Sequence, residues 1–467
     1  MFDRPSLRNA IAGVIQIDRD GTVTVKDAQR LRAGVVEQLA RHAVFAETPE
    51  VRDASRWLIR RLGEAVGVHS ASILPLYKAR GRGECGGFTV PAINIRTLTY
   101  DVARAACRAA KRLDTGAVVF EIARSEIRYT EQRPAEYAAA VTAAAIQEDV
   151  RGPLFIQGDH FQVSASAFYK GDREKELAAM RTLIEEALTA GFFNIDIDSS
   201  TLVVLDRPTI DAQQEENCQI AADLTAHVHT HAPAGVAISI GGEIGEVGGK
   251  NSTVEELRAY MRGYRRHLDR VASGAEGISK ISVQTGTTHG GVPLPDGTIA
   301  KVAVDFDTLR EMSLVARREF GMAGAVQHGA STLPEELFGK FPDIETAEIH
   351  LATGFQNLIY DHPRFPAELR DGMYGHLARA YADERKAGMS DQQFYYKTRK
   401  QAFGPFKRRL WDLPAEVRGA IGADLERTFA DIFGRLRLRG TRTLVDRFVK
   451  PAPTTPPLAE HLAAVLV

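Results

Sequence analysis

The chain has 467 residues, 44% of them hydrophobic and 25% charged, with a formal net charge of −1 at pH 7. That composition suits a globular protein with a large core, and it gives no electrostatic reason to expect nucleic acid or an anionic membrane as partner. Three scattered cysteines, Cys85, Cys107 and Cys218, argue against a disulfide framework and against a cysteine-based zinc knuckle.

The opening "MFDRPSLRNAIAGVIQIDRDG" has an early Asp and lacks the apolar core of a secretion signal. No apolar run reaches membrane-spanning length, so a cytoplasmic protein is expected. Residues 1–85 read as a mostly helical N-terminal extension, with helical apolar spacing in "VKDAQRLRAGVVEQLARHAVF" and "ASRWLIRRLGEAVGV". Glycine-rich "GRGECGG" (81–87) marks a joint.

From 86 to 364 short apolar runs alternate with helical patterns. The runs are "TVPAINI" (89–95), "GAVVFEIA" (116–123), "PLFIQGD" (153–159) and "FFNIDID" (192–198). They continue with "VAISIGG" (236–242), "ISKISVQTG" (278–286), "GAVQHG" (324–329) and "AEIHLAT" (347–353). Strand–helix alternation implies parallel pairing through crossovers, and eight runs in roughly 270 residues match a (β/α)8 TIM barrel. An open doubly wound sheet is the competing arrangement, but no Gly-rich dinucleotide fingerprint follows the first run. Residues 365–467 read as a helical C-terminal extension ending in the proline-stiffened "KPAPTTPP" (450–457). The basic runs "KTRK" and "FKRRL" between residues 397 and 410 read as solvated helix faces.

In a parallel barrel, functional groups gather where strands end. The strand ends here carry Asp159-His160, Asp196 with Asp198, Glu243, His289, His328 and Thr353. Three imidazoles and a carboxylate on separate strands of one rim make a site for Zn²⁺, with a position left open for substrate. A single strand-end histidine is more often a satisfied polar residue, but three at the same end of three strands outweigh that reading. His227, His229 and His231 in "TAHVHTHAP" close a helical pattern ahead of run five, so they fall on the opposite rim and are assigned to structure. Glycines in "GEVGGKNS", "THGG" and "QHGAST", with Ser331 and Thr353, suit phosphate held by backbone N–H groups.

These motifs resemble, in order, the class II, metal-dependent fructose-bisphosphate aldolases and their tagatose-bisphosphate relatives. The likeness runs over roughly residues 88–360: "VPAINIRTLTYDVARAACRAA", "GDH", "IDIDSS", "GGEIGEVGG", "GTTHGG", "QHGAST" and "HLATG". The resemblance implies that His160, His289 and His328 bind Zn²⁺ (or another divalent metal), with Glu243 as an alternative or structural ligand. It implies Asp159 as the proton-transfer acid/base. Asn94, Gly248, Gly249, Gly290, Gly329, Ser331 and Thr353 would hold the substrate and its phosphate, and Lys250 stands where acidic residues are common, as a new phosphate contact. The family's activity is reversible cleavage of a phosphorylated ketose to dihydroxyacetone phosphate and an aldehyde, through a zinc-stabilised enediolate. A phosphorylated sugar is thus the expected partner, and a homo-oligomer the expected assembly.

Besides Lys250, the chain departs from the family in other places. "HGGVPLPDG" lacks the usual Tyr and Lys after the second ligand, Ala123 replaces a common Ser, and His350 stands where Asn is usual. Two other functions therefore stay open: a sugar or sugar-phosphate epimerase on the same metal site, and a non-catalytic subunit that stabilises an aldolase.

Overall fold

The computed structural model describes residues 2–245, 250–286 and 304–466. The N-terminal segment forms an antiparallel ribbon of β1 (Ile15–Ile17) with β2 (Val23–Val25), then helices over Val36–Phe45 and Pro49–Val66, then β3 (Val68–Ala71). The eight apolar runs become β4 (Val90–Asn94), β5 (Val119–Ala123), β6 (Gly152–Gln162), β7 (Asn194–Asp198), β8 (Ser239–Glu243), β9 (Lys280–Ser282), β10 (Ala325–Gln327) and β11 (Glu348–Leu351). Each pairs in parallel with the next, and β11 pairs back to β4, so the sheet closes into an eight-stranded barrel surrounded by helices. Closure removes exposed edges and buries both faces, which is why β4, β5 and β7 are buried at every position. β3 lies outside the ring, paired in parallel with the first residues of β6.

Terminal segments are tied to the barrel and to each other. The helix Ala415–Arg435 lies on the helix Thr99–Leu113, where Arg418 pairs with Asp101 at 2.9 Å and Arg108 with Glu426 at 2.6 Å. The "KPAPTTPP" tail is extended, as its prolines require, and docks on the Pro49–Val66 helix. There Glu64 Oε1 accepts from the backbone N–H groups of Thr454 (2.7 Å) and Thr455 (2.8 Å), and Trp57 Nε1 donates to the Pro456 carbonyl at 2.9 Å.

Two features of the barrel shape the site. The first is a bulge in β6. Gly158 pairs with Ile195 and Phe161 with Ile197, so Asp159 and His160 together oppose the single residue Asp196. Regular alternation would send neighbours to opposite faces; the bulge, with His160 at φ 38°, brings both side chains to the barrel mouth. Gly158 is required here, because a Cβ on it would lie 2.4 Å from the buried Phe161 ring.

The second feature is a charged interior, where barrels commonly stack branched apolar side chains. Lys280 Nζ donates to Gln157 Oε1 at 2.8 Å, pairs with Asp196 Oδ2 at 3.0 Å, and bonds Glu348, which also accepts from the Tyr77 hydroxyl. Gln157 Nε2 donates to Glu121 Oε2 at 2.7 Å and to Glu348 Oε1 at 3.0 Å. Burial, reinforced by Asp159, pushes Glu121 up to about 8, so it is protonated at neutral pH. Burial acts on Glu348 in the same sense, but Lys280 and His350 overcome it and keep that carboxylate ionised. Opposite charges and shared protons thus satisfy a core that would otherwise be prohibitively costly.

Candidate metal centre

The site is assembled from strand ends. His160 comes from the β6 bulge, Asp198 ends β7, Glu243 ends β8, Ser282 ends β9, and His328 follows β10, with Gly329 behind it at φ 72°. His160 Nδ1 donates to Asp198 Oδ2 at 2.9 Å and lies 3.2 Å from Glu243 Oε2. Its other nitrogen, Nε2, faces His328 Nδ1 at 3.1 Å. His328 Nε2 in turn lies 3.0 Å from the Ser282 hydroxyl.

An ionised carboxylate only accepts, so Asp198 fixes the His160 proton on Nδ1 and leaves Nε2 as the donor atom for a ligand. When Ser282 accepts from His328 Nε2, the two facing nitrogens both present lone pairs, and a shared cation between them relieves the repulsion. Two nitrogens on one tetrahedral Zn²⁺ stand about 3.3 Å apart at ordinary Zn–N distances, close to the observed separation. His160, Glu243 and His328 offer ligand atoms all within 4.8 Å of one another, so the donor set fits a divalent ion. The surrounding field agrees. Burial works against a charged His160, yet Asp159 and Glu243 hold its imidazole well above the ordinary range, and what favours a proton there favours a metal ion. Asp198 is kept ionised against burial by His160, Ser200 and Gln162. Burial, with Asp198 beside it, pushes Glu243 up to about 7.

Asp159 is adjacent. Its Oδ1 lies 4.0 Å from His160 Nε2 and accepts from His350 Nδ1 at 3.1 Å, while its Oδ2 accepts from Asn94 Nδ2 at 2.9 Å. Burial would raise Asp159, but His160 and His350 hold it well below the usual carboxylate range. Asn94, Asp159, His160, His328, Gly329, Ser331, His350 and Thr353 line one cavity of about 1100 Å³ at the mouth. Ser331 Oγ accepts from the Gly354 N–H at 3.2 Å, and Thr353 Oγ1 accepts from Arg96 at 3.3 Å.

Of the residues expected from sequence, His289, Gly290, Gly248 and Gly249 lie outside the described residues. Lys250 is exposed and is not among the residues lining the cavity. Asp198, His350, Arg96, Glu126 and Lys400 belong to the site's surroundings but were not selected as site residues. Arg96 and Glu126 follow strand ends, and Asp198 closes a run already noted, so a signal existed for those three. Lys400 had none. Read as part of a solvated face, it instead reaches the cavity, and its neighbour Arg399 is buried against Asp361 and Asn357.

At the other end of the barrel, His227 Nε2 lies 3.0 Å from Glu185 Oε1, and His231 donates from Nδ1 to the His227 carbonyl. Exposed Glu185 and His231 flank half-buried His227 at the end of the helix Ile210–His231, which leads into β8. Among the described residues, no helix is long and apolar enough to cross a membrane.

The sequence profile of the family described as "Fructose-bisphosphate aldolase class-II" matches residues 80–406. No curated protein matches the sequence. Among solved structures, a "probable tagatose 6 phosphate kinase" from Sinorhizobium meliloti is 17% identical with a TM-score of 0.50, covering 81% of this chain and 97% of that one. A fructose-bisphosphate aldolase from Campylobacter jejuni is 17% identical with a TM-score of 0.44, covering 78% and 95%. A fructuronate-tagaturonate epimerase from Cohnella laeviribosi is 12% identical with a TM-score of 0.49, covering 94% and 89%. At 17% identity the Sinorhizobium meliloti structure bears on the fold alone.

Proposed function

Because the chain belongs to the class II fructose-bisphosphate aldolase family, we propose that it is a metal-dependent aldolase. On this reading it reversibly cleaves a phosphorylated ketose, of fructose- or tagatose-bisphosphate type, to dihydroxyacetone phosphate and an aldehyde. The observation that carries the reading is the meeting of His160 Nε2 and His328 Nδ1 at 3.1 Å, beside a buried, ionised Asp159. His160, His328 and Glu243 would hold Zn²⁺ or another divalent ion, and His289 is the further ligand the motif order suggests. When bound, the ion supplies a Lewis acid for the ketone and hydroxyl oxygens, which lowers the energy of the enediolate left by carbon–carbon cleavage.

The chain's own residues do the rest. Asp159, ionised and oriented by Asn94 and His350, takes the proton of the hydroxyl at the breaking bond and returns it in the condensation direction. Asp198 orients His160 through Nδ1. Gly329, Ser331 and Thr353 offer backbone and hydroxyl groups to the phosphate of the ketone half, and Gly248, Gly249, Lys250 and Gly290 belong to the same proposal. A cytoplasmic homo-oligomer is the setting that goes with this chemistry.

The test is metal analysis followed by ketose-bisphosphate cleavage with and without a chelator. Stoichiometric zinc with cleavage abolished by chelation supports the reading; bound zinc with no triose release from any ketose bisphosphate refutes it. A second reading, epimerisation of a sugar or sugar phosphate, is favoured by His350, a second proton-handling group in contact with Asp159. Inversion at C4 without triose release would select it.

A further inference from the structure

We propose that Arg96, Tyr129 and Lys400 form an anion-binding subsite in the barrel mouth, with its ammonium supplied by the C-terminal helical segment, and that it takes a phosphate or carboxylate of the substrate. The proposal rests on the reading above only in assuming that a sugar derivative occupies this cavity.

All three side chains line the cavity that holds His160 and Asp159. Arg96 follows β4, and its guanidinium donates to Glu126 Oε1 at 2.6 Å, to Gln356 Oε1 at 3.0 Å and to Thr353 Oγ1 at 3.3 Å. Glu126 Oε2 accepts in turn from Asn94 Nδ2 and from the Ala123 N–H, both at 2.9 Å. The buried Tyr129 hydroxyl stands beside Arg96 and Glu126 but makes no well-aligned hydrogen bond among the described residues. Lys400, half-buried, stands with Nζ 5.7 Å from the centroid of the Tyr129 ring and makes no ion pair among the described residues. Burial and the nearby Arg96 lower its proton affinity by more than Glu126 and Glu384 raise it. A half-buried ammonium without an ion pair, beside the Tyr129 hydroxyl and the Arg96 guanidinium at one wall of a polar cavity, is completed by an anion.

Lys400 is not at this wall by accident of a flexible chain. Arg399 beside it donates to Asn357 and, at 3.1 Å, to Asp361, both on the helix Thr353–Asp361 that follows β11. The Arg399 carbonyl accepts from Tyr360 at 2.7 Å. On the other side the Gly404 N–H donates to the Tyr129 carbonyl at 3.1 Å, and a Cβ on Gly404 would lie 2.7 Å from that oxygen. The turn is thus clamped between the helices that follow β11 and β5, with the ammonium at the cavity wall. A planar fork, a phenol and a mobile ammonium suit a tetrahedral phosphate or a carboxylate equally.

The experiment titrates the full-length protein by calorimetry with sorbitol 6-phosphate and, separately, with gluconate, neither of which has a ketone to cleave. Binding of either, weakened at least tenfold in Lys400→Met and largely restored in Lys400→Arg, supports the subsite, and the ligand that binds identifies the anion. Binding of neither, or equal binding by Lys400→Met, overturns it, because Lys400 then holds no anion. Should Lys400→Met fail to fold, Tyr129→Phe removes one donor alone and is expected to weaken binding several-fold; unchanged binding counts against the proposal. Ketose-bisphosphate cleavage separates the two claims. Cleavage with an unchanged KM in Lys400→Met refutes the subsite and leaves the aldolase reading intact. Lys400-dependent anion binding by a protein that cleaves no ketose bisphosphate does the reverse.

Discussion

Asp198→Ala tests whether His160 is a metal ligand held by its neighbour. In the folded protein Asp198 Oδ2 accepts from His160 Nδ1 at 2.9 Å and from Gln162 Nε2 at 2.6 Å, while its Oδ1 accepts from the Ser200 N–H at 3.0 Å and the Ser200 hydroxyl at 2.6 Å. Truncation strips four hydrogen bonds and orphans buried donors, which should cost about 2–4 kcal/mol of stability. It also frees the His160 ring to change tautomer and tilt. Loss of such an orienting carboxylate typically weakens metal binding ten- to a hundredfold, or about 1.4–2.7 kcal/mol. Zinc affinity is measured by competition with a chromophoric chelator, and stability by denaturant unfolding of the metal-stripped protein. Ser200→Ala supplies the control, since it removes one contact to Asp198 without touching His160, and should lose about 1 kcal/mol of stability with zinc affinity unchanged. Equal zinc affinity in wild type and Asp198→Ala would refute the reasoning, because His160 would then not depend on Asp198 to present Nε2.

Asp159→Ala should keep zinc content near wild type and lower turnover by about 10²–10⁴, read by metal analysis beside a cleavage assay; loss of metal would contradict the role given to Asp159. Gly158→Ala must push a methyl into the Phe161 ring, so it should destabilise by about 1–3 kcal/mol, and the β6 bulge should distort enough to disturb zinc binding, checked by unfolding and metal titration. Lys280→Met leaves Asp196 and Glu348 without their buried cation and should destabilise by about 3–5 kcal/mol, with Lys280→Met/Glu348→Gln recovering part of the loss in the same unfolding assay. Glu64 is held below 4.5, because hydrogen bonds from Thr455 and Thr454 outweigh its burial. A depressed carboxylate contributes stability above its unfolded value that is lost as pH falls through the folded one. Proteolysis of the C-terminal tail should therefore accelerate as pH drops below about 4.5, and Glu64→Gln should remove that dependence.

Much of the fold was legible because its signals are local. Each apolar run between helical patterns became a strand, in the expected order, and the sheet closed as the count of eight implied. The rim was legible for the same reason: parallel strands with crossover helices put all their C-terminal ends on one side, so Asp159, Glu243, His328 and Thr353 could be grouped before any contact was known. His227 and His231 could be sent to the other rim by the same rule, and the helix that carries them does lead into β8.

What lay beyond the sequence is of another kind. Period-two alternation assigns Asp159 and His160 to opposite faces, and only the bulge opposite Asp196 puts both into the mouth. Apolar flanks gave no hint that Glu121, Gln157, Lys280, Glu348 and His350 would pair and hydrogen-bond with one another inside the barrel, since each alone is an anomaly that only its neighbours satisfy. Lys400 sits in a helical pattern that suggests solvent, and reaches the cavity because Arg399 and Gly404 clamp its turn to two helices that follow separate barrel strands. The sequence by itself determined periodicity, and with it the strands, their order and the end of the barrel where chemistry collects. Which side chains meet there was decided by tertiary structure alone, because hydrogen bonds and charge pairs act over a few ångströms between residues that chain order holds far apart.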